Sequence, residues 1–161
     1  MKVLDIKDED CINYKYISMF IAMPFCSGKC WKELGLSCSI CQNENLRNQP
    51  IIDISVNDII DRYDSNQLSR AIVFGGLEPL DSYEDITCFL MNFRYHHADP
   101  VIIYTGYTEN EVLEKFSKLF LYENIIIKYG RYIPNQTSHH DTVLGVNLAS
   151  DNQYAKIYNE V

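Results

Sequence analysis

No stretch of this chain reaches the roughly 18 consecutive apolar residues that a membrane span requires. The longest candidate near the start, Ser18 to Phe25, is about the length of a strand. Positive charge is also scarce: Lys and Arg together number 14 against 22 Asp and Glu, a formal net charge of −8. An acidic chain gains neither counterion release nor attraction at a polyanion, which argues against sequence-independent binding to nucleic acid or to anionic lipid. A secretion signal is not expected, because Lys2 is followed by four acidic residues by Asp10 rather than by an apolar core. There is no internal repeat and no low-complexity segment. At 161 residues, 47% apolar and 22% charged, the composition is that of one ordinary globular domain. Its core is expected over residues 18–153, and a soluble cytoplasmic protein follows.

Six cysteines in such a protein are more often metal ligands, nucleophiles or buried apolar residues than disulfide partners. Four of them, Cys26, Cys30, Cys38 and Cys41, lie within 16 residues, in P-F-C-S-G-K-C-W-K-E-L-G-L-S-C-S-I-C-Q-N. That density points to a shared metal centre, since thiolates suit zinc and iron–sulfur clusters. Cys88 falls among Ile86, Phe89, Leu90 and Phe93 of an expected helix and reads as a buried hydrophobe. Cys11 receives no role.

Strands and helices alternate along the chain. Apolar runs predict strands at Met19–Phe25, Ala71–Phe74, Val101–Tyr104 and Asn124–Lys128, with a fifth at Thr142–Val146 and an edge strand or arm before Ile17. Ser55 with Asp58, Ser82 with Asp85, and Thr108 with Glu111 have the spacing of capping boxes. They predict helices to about Tyr63, Tyr95 and Leu119. Strands apolar on successive residues suit a parallel sheet covered on both faces. The expected fold is therefore α/β with a mostly parallel sheet, and the length is too short for a full eight-unit barrel.

Ligands on such sheets gather at the C-terminal strand ends, and the motifs lie there. The cysteines follow the first strand, Gly75-Gly76-Leu77-Glu78-Pro79 the second, and Tyr104-Thr105-Gly106-Tyr107-Thr108 the third. Two glycines let backbone approach a ligand closely, and Glu78 is expected to project from the rim as an acceptor for a ligand amine. Trp31, inside the cysteine loop, could cover a metal centre from water. Lys128 reads as a solvated strand-end lysine in preference to an inward-facing one, and His139-His140 as a polar loop in preference to a metal site.

The cysteine loop followed by G-G-L-E-P resembles the radical S-adenosylmethionine (SAM) superfamily of partial (β/α) barrels. Its usual C-x3-C-x2-C loop is matched here with an insertion, as C-x3-C at Cys26 and Cys30 and C-x2-C at Cys38 and Cys41. Cys41-Gln42-Asn43, Tyr104-Thr105-Gly106-Tyr107-Thr108, Gly130-Arg131-Tyr132, and Gly145 with Ser150-Asp151-Asn152-Gln153 narrow the resemblance to activating proteins of anaerobic ribonucleoside-triphosphate reductase. The resemblance implies a minimal partial barrel holding a [4Fe-4S] cluster and SAM. One electron from a low-potential donor would yield a 5′-deoxyadenosyl radical, and the implied partner is a glycyl-radical reductase. Cys26, Cys30 and Cys41 are the preferred ligands; Cys26, Cys38 and Cys41 are the rival set. The cofactor pocket is implied at Asn43, Gly75, Gly76, Glu78, Tyr104 and Thr105, with no catalytic residue beyond the cofactors. With no spare segment for a lid, the partner is expected to cover the radical. Competing readings are a radical SAM enzyme acting on a small molecule, and a non-catalytic module in which all four cysteines bind zinc or a cluster.

Overall fold

Four apolar runs form the centre of a six-stranded sheet in the computed structural model, which describes residues 1–160. The elements in chain order are β1 (Lys2–Val3), β2 (Asp5–Asp10), β3 (Ser18–Met23), α1 (Lys29–Glu33), β4 (Ile52–Asp53), α2 (Val56–Ser65) and β5 (Ile72–Gly76). There follow α3 (Tyr83–Phe93), β6 (Val101–Tyr104), α4 (Glu109–Lys115), β7 (Ile125–Tyr129), β8 (His139–Asp141), β9 (Val146–Leu148) and β10 (Tyr154–Tyr158). Strands β3, β5, β6 and β7 are parallel and adjacent in that order. The sheet is open, with β2 antiparallel on β3 at one edge and β10 antiparallel on β7 at the other. The fold is thus α/β with a mostly parallel mixed sheet.

Each crossover between parallel strands carries a helix, and like-handed crossovers in strand order place all three on one face. Met19, Ile21, Ile72, Phe74, Val101, Ile103, Ile125 and Ile127 point to that face. There they meet Ile59 and Tyr63 of α2, Phe89 and Phe93 of α3, and Val112 of α4. Alternation along a strand sends the intervening residues, Val73, Ile102 and Ile126, to the second face. The arm residue Tyr14 and the β8–β9 hairpin residues Leu144 and Leu148 cover that smaller core. Beyond these apolar rungs, toward the C-terminal strand ends, the second face carries Gly75, Tyr104 and Lys128 and opens into a cavity.

Two of the three helix caps form as spaced, the one at Thr108 as a full capping box. Ser55 Oγ accepts from the Asp58 amide at 3.0 Å, and Thr108 and Glu111 cap each other reciprocally. The third does not: Ser82 makes no capping bond, and its buried hydroxyl has no hydrogen-bond partner. Instead a 3-10 turn, Pro79–Ser82, runs into α3 and is capped by the Glu78 carboxylate. Thr142–Val146 is not a strand but largely the tight turn between β8 and β9, closed by the Leu144 amide donating to Asp141 Oδ1 at 2.9 Å. Cys88 is exposed rather than buried, because it falls between the inward-facing Ile86 and Phe89 on the outer side of α3. Strand β10 was not anticipated; its Y-A-K-I-Y pattern is half polar, as an edge strand allows.

Candidate functional site

The cavity occupies 510 Å³ at the C-terminal ends of β3, β5, β6 and β7, within the size range of small-molecule sites. Three loops shape it. The first leaves β3 and carries the cysteines. Its residues Cys26, Cys30 and Cys41 all line the cavity, as do Trp31 and Asn43. Cys38 is not on the wall; its Sγ lies 3.7 Å from Glu44 Oε1. No cysteine is in a disulfide. The second loop contributes Gly75, Gly76, Leu77 and Glu78, and the third Tyr104, Thr105 and Gly106. The structure therefore brings together every site residue expected from the sequence except the alternative ligand Cys38.

Backbone bonds lock the first loop to the second: Leu77 N donates to Met23 O at 3.0 Å and Glu78 N to Phe25 O at 2.8 Å. Asn43 Nδ2 donates to Gly76 O at 2.6 Å, anchoring the far end of the cysteine loop. Gly76 has φ +82°, and an added Cβ would sit 2.8 Å from Met23 N. At Gly75 the same addition would meet the Phe20 ring at 2.6 Å. Packing against β3 thus demands Gly76, while a side chain at Gly75 would have to displace the Phe20 ring.

Glu78 is buried, and its carboxylate joins the second loop to the third rather than projecting freely from the rim. Oε1 accepts from the Leu80 amide at 3.1 Å and from Thr105 Oγ1 at 2.7 Å; Oε2 accepts from the Gly106 amide at 2.8 Å. Burial outweighs those three donors and pushes its pKa up to about 7. Tyr104 turns its hydroxyl to Asn13 O at 2.6 Å, fastening the arm over the second face.

Gly106 determines where Cys30 sits, since an added Cβ would lie 2.9 Å from its Sγ. The Gly130-Arg131-Tyr132 turn closes the remaining side. Arg131 donates to Gly106 O at 2.9 Å and pairs with both Glu111 and Glu33, drawing α1 toward α4. Gln153 Nε2 donates to Gly130 O at 3.2 Å, and Asn152 Nδ2 to Arg131 O at 3.0 Å. Lys128, expected in solvent, is 7% exposed and lines the cavity, with Nζ donating to Gly130 O at 3.2 Å. Desolvation lowers its pKa to about 8, against the opposing pull of Glu78 and Cys30. Its parity with Ile126 in I-I-I-K was the signal for an inward orientation. Asn13 and Phe20 also line the wall and carried no such signal.

Burial raises the pKa of the Cys26 and Cys30 thiols. The Gly28 and Tyr132 amides oppose it by donating to sulfur. Among the described residues, no three His, Cys, Asp or Glu side chains form a group that could hold one metal ion as they stand. His139 and His140 lie on β8, where His140 Nδ1 is 3.3 Å from Asn147 Oδ1. A cluster, unlike zinc, takes each thiolate on a separate iron and does not require the sulfurs to meet at one centre. Three free cysteines lining one cavity fit that donor set. Gly106, which admits Cys30 to the wall, belongs to the same fit. Compared with family models, with curated proteins and with solved structures, the chain matches none of them.

Proposed function

We propose that this chain is a radical SAM iron–sulfur enzyme that installs a glycyl radical on an anaerobic ribonucleotide reductase. The observation that carries the reading is the meeting of Cys26, Cys30 and Cys41 with the Gly75–Glu78 and Tyr104–Gly106 loops around one cavity. On this reading the open sheet is a partial (β/α) barrel whose inner face carries Gly75, Tyr104 and Lys128. Cys26, Cys30 and Cys41 would hold the [4Fe-4S] cluster, and Cys38 stays outside the ligand set. Bound there, the cluster and SAM would supply one-electron cleavage of SAM to methionine and a 5′-deoxyadenosyl radical.

The chain's own residues prepare the site. Glu78 fixes the separation of the second and third loops through three hydrogen bonds. Asn43 fixes the cysteine loop on Gly76. The Lys128 ammonium places a buried positive charge on the same wall as three groups that become anionic when they ligate iron. Ile12, Phe20 and Trp31 give the cavity apolar walls that limit water.

Anaerobic reconstitution with iron and sulfide, then SAM and a low-potential reductant, tests the enzyme class. 5′-Deoxyadenosine is expected; a colourless protein carrying stoichiometric zinc refutes it and leaves the four-cysteine module. Adding the anaerobic reductase of the same organism tests the partner. A glycyl-radical doublet in electron paramagnetic resonance is expected on the reductase. 5′-Deoxyadenosine without that doublet would transfer the reading to a small-molecule substrate.

A further inference from the structure

Helix α1 carries Cys30 but has little of its own to hold it in place. It has five residues, none of them buried, and its N-cap Gly28 supplies no capping side chain. A helix that short does not sustain itself in water. What fixes it acts at its two ends. Lys29 and Glu33, its first and last residues, are four apart and share one face. Both reach charges on distant elements, Glu111 of α4 and Arg131 of the turn after β7.

The four side chains close a ring of alternating charge. Lys29 Nζ lies 3.3 Å from Glu111 Oε1. Arg131 grips Glu111 with a fork, Nη1 to Oε2 at 2.8 Å and Nη2 to Oε1 at 3.0 Å. Its Nη2 also donates to Glu33 Oε1 at 2.7 Å. The Arg131 side chain is 11% exposed, so solvent and salt screen these pairs less than surface ones. Its Nη1 donates to Gly106 O at 2.9 Å as well. Gly106 lies against Cys30: a Cβ there would be 2.9 Å from Cys30 Sγ and 4.0 Å from Arg131 Cγ. The thiol and the stem of Arg131 therefore share one neighbour. Cys38 has no such ties to other elements. Among the described residues, the hydrogen bonds of residues 34–41 end within residues 31–44.

We infer that Arg131 is a positioning residue: through this ring it holds α1 so that Cys30, rather than Cys38, supplies the third thiolate. The inference rests on the cluster reading proposed above and names what selects the ligand within it. Arg131 touches no iron and acts through α1. Opening the ring frees one end of that helix, while Asn43 on Gly76 still anchors the far end of the loop beside Cys41. Cys38, three residues before Cys41, then competes for the place of Cys30.

The test applies two readouts to wild type, Arg131→Met, Arg131→Lys and Glu111→Gln. In the first, the reduced metal-free proteins are alkylated with iodoacetamide and each cysteine is followed by mass spectrometry. Arg131→Met should speed alkylation of Cys30 roughly tenfold, the effect of losing one hydrogen bond between charged groups, and leave Cys41 at its wild-type rate. Arg131→Lys keeps the charge and loses the fork, so it should fall between. Glu111→Gln opens the same ring and spares the bonds from Arg131 to Glu33 and Gly106, so it replaces Arg131→Met if that variant does not fold. In the second, iron retained against a chelator is measured after anaerobic reconstitution with iron and sulfide. Cys38→Ala should retain wild-type iron in the wild-type background. In the Arg131→Met background it should retain roughly a tenth of its parent's iron, by the same factor. An unchanged Cys30 rate overturns the inference, and so does an equal rise at Cys30 and Cys41, which is general loosening. Cys38→Ala without effect in both backgrounds overturns it too and leaves the cluster reading standing. A wild-type chain that takes up no cluster overturns that reading, and the inference with it.

Discussion

Replacing Glu78 with Ala should destabilise the metal-free protein, because its carboxylate is the acceptor for two loops. The change strands the Leu80 and Gly106 amides, which donate to it at 3.1 and 2.8 Å. Thr105 loses its acceptor as well, although its hydroxyl oxygen keeps the Tyr107 amide at 3.0 Å. Each buried donor left unpaired costs about 1–3 kcal/mol, so the two amides together cost about 2–6 kcal/mol. With a urea slope of about 2 kcal/mol/M, the unfolding midpoint should fall by about 1–3 M. Glu78→Gln retains one carbonyl acceptor but turns an NH2 toward a donor, so it should lie between Ala and wild type.

The charge has its own signature. The folded pKa of about 7 exceeds the ordinary 4.5, so between those values the folded state holds a proton that the unfolded chain releases. Glu78 therefore lowers stability as pH rises from 4.5 through 7, and Glu78→Gln should remove that slope. Urea titrations of the three proteins across this window measure both effects. If Glu78→Ala unfolds at the wild-type midpoint yet binds SAM poorly, the bracing argument is refuted and Glu78 is a direct ligand.

Among the cysteines, Cys26→Ala, Cys30→Ala and Cys41→Ala should each abolish cluster absorbance after reconstitution, while Cys38→Ala should retain it. Loss in Cys38→Ala with retention in Cys30→Ala would reverse the ligand choice. Gly106→Ala places a methyl 2.9 Å from Cys30 Sγ and 3.3 Å from Glu78 Oε2. Overpacking of that kind costs about 1–3 kcal/mol, so iron per chain and the urea midpoint should both drop; normal values for both would show that the loop yields. The Glu111 carboxyl is held well below its ordinary value of 4.5, first by the Arg131 guanidinium. Its contribution is present above pH 4.5 and declines as pH falls through the lowered folded value. The stability gap between wild type and Arg131→Gln should therefore be wider at neutral pH than in strong acid, and a gap independent of pH would remove this ion pair as its cause.

Local chemistry was legible in the chain. Ser55 and Thr108 cap helices because the bonds involved span three residues and need nothing from the rest of the fold. The apolar runs became the four parallel strands because burial on both faces admits little else. Even the cysteine loop and the two loops facing it could be assigned to strand ends from order alone. What failed depended on distant neighbours. Ser82 has the spacing of a cap, but Glu78, held by the third loop, takes the position that starts the turn before α3. Thr142–Val146 is apolar enough for a strand, yet Asp141 fastens it as a turn. The placement of Cys88 follows from helix phase, which the surrounding apolar residues obscured.

The site divides in the same way. The sequence determined which residues could ligate or border a cofactor, since residue type and loop position are local. The tertiary structure put Cys30 and not Cys38 on the cavity lining, because the place of Cys30 depends on Gly106, Tyr132 and the Arg131 pairs from other parts of the chain. Likewise it brought Lys128 inside. A side chain's solvation is fixed by what the rest of the chain packs against it, and for these residues those neighbours lie across the sheet or in another loop.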